Sequence, residues 1–205
     1  MVINKLKYGK IKNDKILLFL SGLAIIGLIT GSLFITILSS TDKTLVEEYI
    51  TNFVSNLNTI NFFDTFKNSI LSNIVFFIIV SLLGFSIIGV PIIIFLYFLK
   101  FFSLGFSISS FILSYKLKGI LISFIYIFPL QIFHLLVDTL LCLYSIKISC
   151  NFIYSIFQKK DINYHKIIKK YIFILFCTLI GYIISSLYES FVLPFLLNKI
   201  INIIK

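Results

Sequence analysis

Tryptophan and arginine are missing from this 205-residue chain, and only 8 residues are acidic. Charged residues make up 13% of it and hydrophobic ones 59%, where a soluble domain has about 25% and about 45–50%. Charge this sparse excludes an ordinary soluble domain. The alternating segments of about ten residues that build a membrane barrel are also missing. There is no G-x-S-x-G elbow, no G-x-x-x-x-G-K-[ST] phosphate loop, no dinucleotide fingerprint after a strand and no H-E-x-x-H. Soluble-type catalysis therefore has no motif to stand on, and neither an enzyme activity nor a cofactor is expected. The three cysteines, Cys142, Cys150 and Cys177, lack C-x-x-C spacing and fall inside apolar runs, where they read as small fillers. With no internal repeat and no low-complexity linker, one domain is expected.

What the chain has is lysine and long apolar runs. The net charge of +10 comes wholly from lysine. The lysines sit mainly at the ends of apolar runs, as topological and headgroup-facing charges do, and no binding fold accompanies them as nucleic-acid recognition would require. A basic tail (1–15) holds Lys5, Lys7, Lys10, Lys12 and Lys15 against Asp14. The uncharged run 16–38 follows. It is longer than a signal-peptide core and is followed by no A-x-A-like site, so it reads as an uncleaved first span with a cytoplasmic N-terminus. Gly27 and Gly31 form a G-x-x-x-G pair suited to close packing inside a bundle.

Residues 39–69 form an extracytoplasmic segment in which Asp42, Glu47, Glu48 and Asp64 outnumber Lys43 and Lys67. Val46, Tyr49, Phe53, Leu57 and Ile60 recur at helical spacing behind a capping box at Thr44–Glu47. This predicts an amphipathic helix on the outer leaflet or on the bundle, and its apolar face is a candidate partner-docking surface. Later spans are expected at about 70–98, from Lys100 to Tyr115, at about 130–149 and at about 171–197. A short or re-entrant helix precedes Pro129, and a basic cytoplasmic loop (158–170) and a C-terminal tail (199–205) complete the plan. The predicted fold is an all-α, polytopic transmembrane helical bundle (16–198) with about five spans, or six if 119–129 cross fully.

One stretch breaks the apolar pattern. Leu83 to Phe106 carries Gly84, Gly89, Pro91 and Gly105 within residues too apolar for a surface loop. Broken backbone at membrane depth needs neighbouring protein to satisfy it. Placing Lys100 at a cytoplasmic turn makes this stretch a tight helical hairpin. Polar groups also stand inside later spans: Gln131, His134 and Asp138 share one helix face, and Glu189 lies near the end of the last run. Buried ionisable groups cost about 2.5–3.5 kcal/mol each on insertion scales and need partners. An internal clasp between His134 and Asp138 is the favoured reading. A proton or ion path, and a metal site completed by Glu189, stay open.

Gly89-Val90-Pro91, the apolar run to Lys100 and Gly105-Phe106 resemble the central signature of the stage II sporulation protein M family. Pro129-Leu130-Gln131 and Tyr188-Glu189-Ser190-Phe191-Val192-Leu193-Pro194 are similar to two further family segments. Gln131, His134 and Asp138 depart from the spacing some relatives show. The resemblance implies a cell-membrane protein of endospore formation, sited in the septal and engulfing mother-cell membrane. Its implied role is a scaffold without catalysis, and its implied partners are peptidoglycan hydrolases of the sporulation engulfment complex. The alternative from the residues is a small transporter or permease subunit, since broken helices and buried charge also mark substrate sites. An intramembrane metal hydrolase is a third reading.

Overall fold

The structure is a computed structural model and describes residues 13–55, 61–86, 88–158 and 164–204. The expected basic tail up to Lys12, Leu57 and Ile60 of the amphipathic face, and positions 159–163 of the basic loop lie outside the described residues. Among those described there are six α-helices and no strand. They are α1 (Asn13–Ile37), α2 (Ser40–Ser55), α3 (Phe62–Gly84), α4 (Gly89–Ile122), α5 (Phe128–Gln158) and α6 (Tyr164–Ile204), with a π-helical turn (Ser123–Ile127) ahead of α5. All but α2 are long and apolar enough to cross a membrane. The large apolar side chains they leave uncovered, such as Leu18, Leu82 and Phe173, would be costly in water and are at home against lipid. The protein is a multi-pass helical membrane protein.

The first break falls at Ser39. Its hydroxyl donates to Asp42 Oδ2 (2.6 Å) and accepts from the Asp42 N–H (3.1 Å). The reciprocal cap that starts α2 is thus Ser39–Asp42, five residues N-terminal to the expected Thr44–Glu47 box. Thr44 instead lies inside the helix, its hydroxyl donating to the Thr41 carbonyl. The extracytoplasmic segment is also shorter than expected, because α3 already begins at Phe62 and carries Asp64 and Lys67 in its first turns.

The second break corrects the expected hairpin. The reversal lies at 85–88, and Lys100 stands 11 residues into α4, about 16 Å along its axis at 1.5 Å per residue. Gly84, Gly89 and Pro91 explain why. A Cβ on Gly89 would collide with the Leu83 carbonyl, so the tight return needs glycine there. Pro91 sits in the first turn of α4, where no N–H is called for. The freed backbone groups are satisfied locally: Phe85 N–H bonds Leu82 O, Ser86 N–H bonds Leu83 O, and Gly89 N–H bonds Ser86 O. Ser149 of α5 adds a bond from its hydroxyl to the Ser86 carbonyl (2.5 Å). The broken backbone thus lies between the ends of two spans, and local bonds with one from Ser149 satisfy it there.

A further reversal occurs within α4 at Lys116, whose φ of 52° and ψ of −127° are non-helical. The chain then runs back along itself. Gly119 packs on the Phe111 carbonyl, and the Ser123 hydroxyl reaches the Ile108 carbonyl at 3.4 Å. The short helix expected before Pro129 is this returning segment, which continues through the π turn into α5.

Contact registers give the helix directions. Phe34 meets Phe102 and Phe106, while Gly27 packs on Phe98, Phe101 and Phe102, so α1 and α4 run parallel. A Cβ on Gly31 or Gly105 would strike the Phe102 or Leu28 carbonyl, so the G-x-x-x-G pair serves a seam within the bundle. Helix α6 runs antiparallel to α3, with Phe62 near Phe191, Phe77 near Tyr182 and Phe85 near Tyr171. Helix α5 is central: 50% of its span is buried, against 17–28% of the other four. The main core gathers Leu20, Val80, Ile93, Tyr97, Leu141, Cys142 and Tyr182. A second core lies under α2, where Ile50 meets Phe111, Ile122, Ile127 and Leu196.

Candidate functional site

Lys100, expected at a turn, is the cation of a buried ion pair. Its ammonium lies 3.8 Å from Asp138 Oδ2 on α5 and 4.6 Å above the Phe76 ring on α3. Asp138 is almost wholly buried, and its other oxygen accepts a 2.5 Å hydrogen bond from the Tyr182 hydroxyl on α6. Four helices thus meet at one carboxylate. Oδ2 has no hydrogen-bond partner, and Lys100 compensates it through charge alone. A carboxylate buried this deeply without a cation would cost several kcal/mol, which fixes Lys100 where it is. One turn away, the Tyr97 hydroxyl pairs with Thr139 at 2.9 Å, and Thr139 in turn donates to the Leu135 carbonyl.

His134 does not satisfy Asp138, contrary to the expected clasp. Its Nε2 lies 3.8 Å from Glu189 Oε2 instead. Glu189 accepts a 2.5 Å hydrogen bond from Ser69, which also bonds Ser186. Asn73 donates to Ser186 at 3.2 Å. The i, i+4 spacing did place His134 and Asp138 on one face, but Asp138 bonds Tyr182 and His134 approaches Glu189, both on α6. The three residues weighed as metal ligands are thereby divided between two clusters. No group of three or more His, Cys, Asp or Glu residues suited to a metal ion occurs among the described residues.

A cavity of about 630 Å³ adjoins both clusters. Leu45, Val46, Tyr49, Ile50 and Phe53 of α2 form one wall, and Ser103, Leu104, Phe106, Ser107, Ser110 and Phe111 of α4 form another. Lys100, Gln131, Glu189 and Ile127 complete the lining. The face of α2 considered for docking is therefore the one turned toward the bundle. Val46 and Phe53 pack into the second core, Phe53 edge-on to Phe111, and Tyr49 stands exposed at the cavity edge. Covering this wall is what holds an amphipathic helix with little apolar surface of its own.

Sequence reasoning missed Lys100 as a member of the buried set, together with Tyr182, Ser69, Asn73 and Ser186. The signal available for Lys100 lay in Gly84, Gly89 and Pro91, whose turn chemistry places the reversal ahead of it and Lys100 inside the following helix.

The family model described as stage II sporulation protein M matches residues 16–194. The chain belongs to the stage II sporulation protein M family. The match runs from the first turn of the membrane-spanning part of α1 to Pro194 in α6, so all five spans, both clusters and the cavity lie within it. Neither the comparison with curated proteins nor that with solved structures gives a match. As a member of this family, the protein is a membrane protein of sporulation.

Proposed function

We propose that the protein is a non-catalytic scaffold of endospore formation, which anchors and localises peptidoglycan-degrading sporulation proteins at the septal and engulfing membrane. The observation that carries this reading is the family membership over residues 16–194. The structure adds a surface for anchoring: α2 sits against α4 and turns Asp42, Glu48 and Asn52 outward, with Leu45 and Tyr49 exposed at the cavity edge. With the inward face of α2 occupied, a partner meets this outward edge.

Charge sets the orientation. Lys15, Lys147, Lys169 and Lys170 lie at the end of the bundle that holds the 85–88 turn, and the sequence adds Lys5, Lys7, Lys10, Lys12, Lys159 and Lys160 next to them; at the end that holds α2, Lys43, Lys67, Lys116 and Lys118 stand with Asp42, Glu47, Glu48 and Asp64. The lysine-rich end faces the cytoplasm under the positive-inside rule, so α2 lies on the extracytoplasmic side, where the hydrolases act. Deleting the gene in sporulating cells is the test. Failed engulfment with dispersed hydrolases is expected; normal engulfment with normally placed hydrolases would refute the proposal.

A transport role is the second reading, favoured by the cavity that reaches Lys100 near mid-membrane. Replacing Asp138 by Asn separates the two. The variant loses stability under either reading; in the fraction that folds, a permease would have lost flux, whereas a scaffold would keep its partners.

A further inference from the structure

The cavity beneath α2 is lined by donors that the fold does not use, Lys100 and Gln131 among them. Lys100 carries three N–H donors and makes no hydrogen bond: its contacts are the 3.8 Å ion pair with Asp138 and the face of Phe76. Its side chain keeps 29% of its surface accessible, and it lines the cavity. Gln131 lines the same cavity, half-buried, with no hydrogen bond from its amide. A charge that served only to neutralise Asp138 would gain by closing over it completely. An amide without a partner at this depth is likewise costly unless something accepts from it. Tyr49 and Ser103 also place hydroxyls on the lining, at exposed positions, and three further polar groups are committed. Ser107 and Ser110 donate to the Ser103 and Phe106 carbonyls, and Glu189 accepts from Ser69.

The rest of the wall is apolar, with Leu104, Phe106, Phe111 and Ile127 facing Ile50 and Phe53 across the space. A volume of about 630 Å³ lies in the range of roughly 300–1,000 Å³ typical of small-molecule sites, which combine apolar walls with a few placed polar groups. The charge of the occupant follows from the neighbours of Lys100. Asp138 lies 3.8 Å behind it, and Glu189 on the same lining lies 3.8 Å from His134, so each basic group already faces a carboxylate and an anion would meet both carboxylates. A neutral acceptor meets no such repulsion.

We infer that the cavity is a binding site for a small uncharged amphiphile, whose carbonyl oxygens accept hydrogen bonds from Lys100 and Gln131 while its apolar body packs against Leu104, Phe106 and Phe111. Ester carbonyls of a neutral lipid and amide carbonyls of an apolar peptide share this chemistry. The site depends on neither the scaffold nor the transport reading.

The test uses the purified full-length chain in detergent, with thermal unfolding as readout and three probes: dioctanoylglycerol, N-acetyl-leucyl-leucinamide and octanoate. Wild type is expected to be stabilised by the glycerol ester or by the dipeptide amide, and the one that acts identifies the source of the carbonyl. Ser107→Phe fills the cavity from α4 and leaves the ion pair in place; it is expected to abolish the shift. If that variant fails to fold, Gln131→Leu carries the test, with an apparent affinity weaker by about three- to tenfold for one lost hydrogen bond. No shift with either neutral probe, an equal shift in the variants, or stronger stabilisation by octanoate would overturn the proposal.

Discussion

The two buried polar clusters lie on neighbouring turns of the same helices yet are built on opposite plans. Ser69, Asn73, Ser186 and Glu189 close on one another, joining α3 to α6 through direct hydrogen bonds of 2.5 to 3.2 Å, although Glu189 also lines the cavity and lies 3.8 Å from His134. At the other, Lys100 and Asp138 approach only to 3.8 Å, one carboxylate oxygen has no hydrogen bond, and the ammonium opens onto a cavity. A closed polar cluster in a bilayer serves packing. An open one keeps both a stability cost and an unused capacity for bonding, and natural sequences retain such costs mostly where something else uses the site.

The largest effect is expected at the open cluster. Lys100→Met leaves Asp138 without its cation and should cost about 3–5 kcal/mol of unfolding free energy. Gly105→Val comes next. Its side chain enters the backbone of α1 at Leu28, and forcing apart a seam this close should cost at least the roughly 1–3 kcal/mol of an overpacked core, read as a lowered melting temperature. Tyr182→Phe removes the one hydrogen bond that Asp138 receives and should cost about 1.5–3 kcal/mol, the usual range for a bond to a charged group. Ser186→Ala in the closed cluster should cost least, about 0.6 kcal/mol, the average for interhelical hydrogen bonds within a bilayer. A loss at Ser186 larger than that at Tyr182 would invert the contrast between the clusters.

Much of the architecture is legible in one dimension because a bilayer imposes strict lengths. The run 16–38 and its basic flank are enough to predict α1, and five spans with a polar segment after the first match the five apolar helices. Gly27 and Gly31 were likewise readable as a packing seam, since small residues four apart have few other uses in a span. Lys100 was misread because a lysine at a turn and one inside a helix look alike when both are flanked by apolar residues. What separates them is Asp138, 38 residues further on, and sequence spacing carries no such pairing. Gly84, Gly89 and Pro91 held the better turn signal, which the lysine outweighed. The start of α2 went wrong for a related reason. Ser39–Asp42 and Thr44–Glu47 both fit the capping pattern, and the break after α1 decides between them. The partners of His134 and Glu189 were hidden for the same reason as that of Lys100: helical spacing reports which face a residue occupies and is silent about which helix lies opposite.

The most direct test of the open cluster is a double-mutant cycle on the full-length chain in bicelles, measuring unfolding free energies of wild type, Lys100→Met, Asp138→Leu and the double variant. Pairing across membrane depth predicts that each single variant loses about 3–5 kcal/mol and that the double variant loses less than either, because removing both charges leaves nothing to compensate. Losses that simply add would contradict the pairing of Lys100 with Asp138.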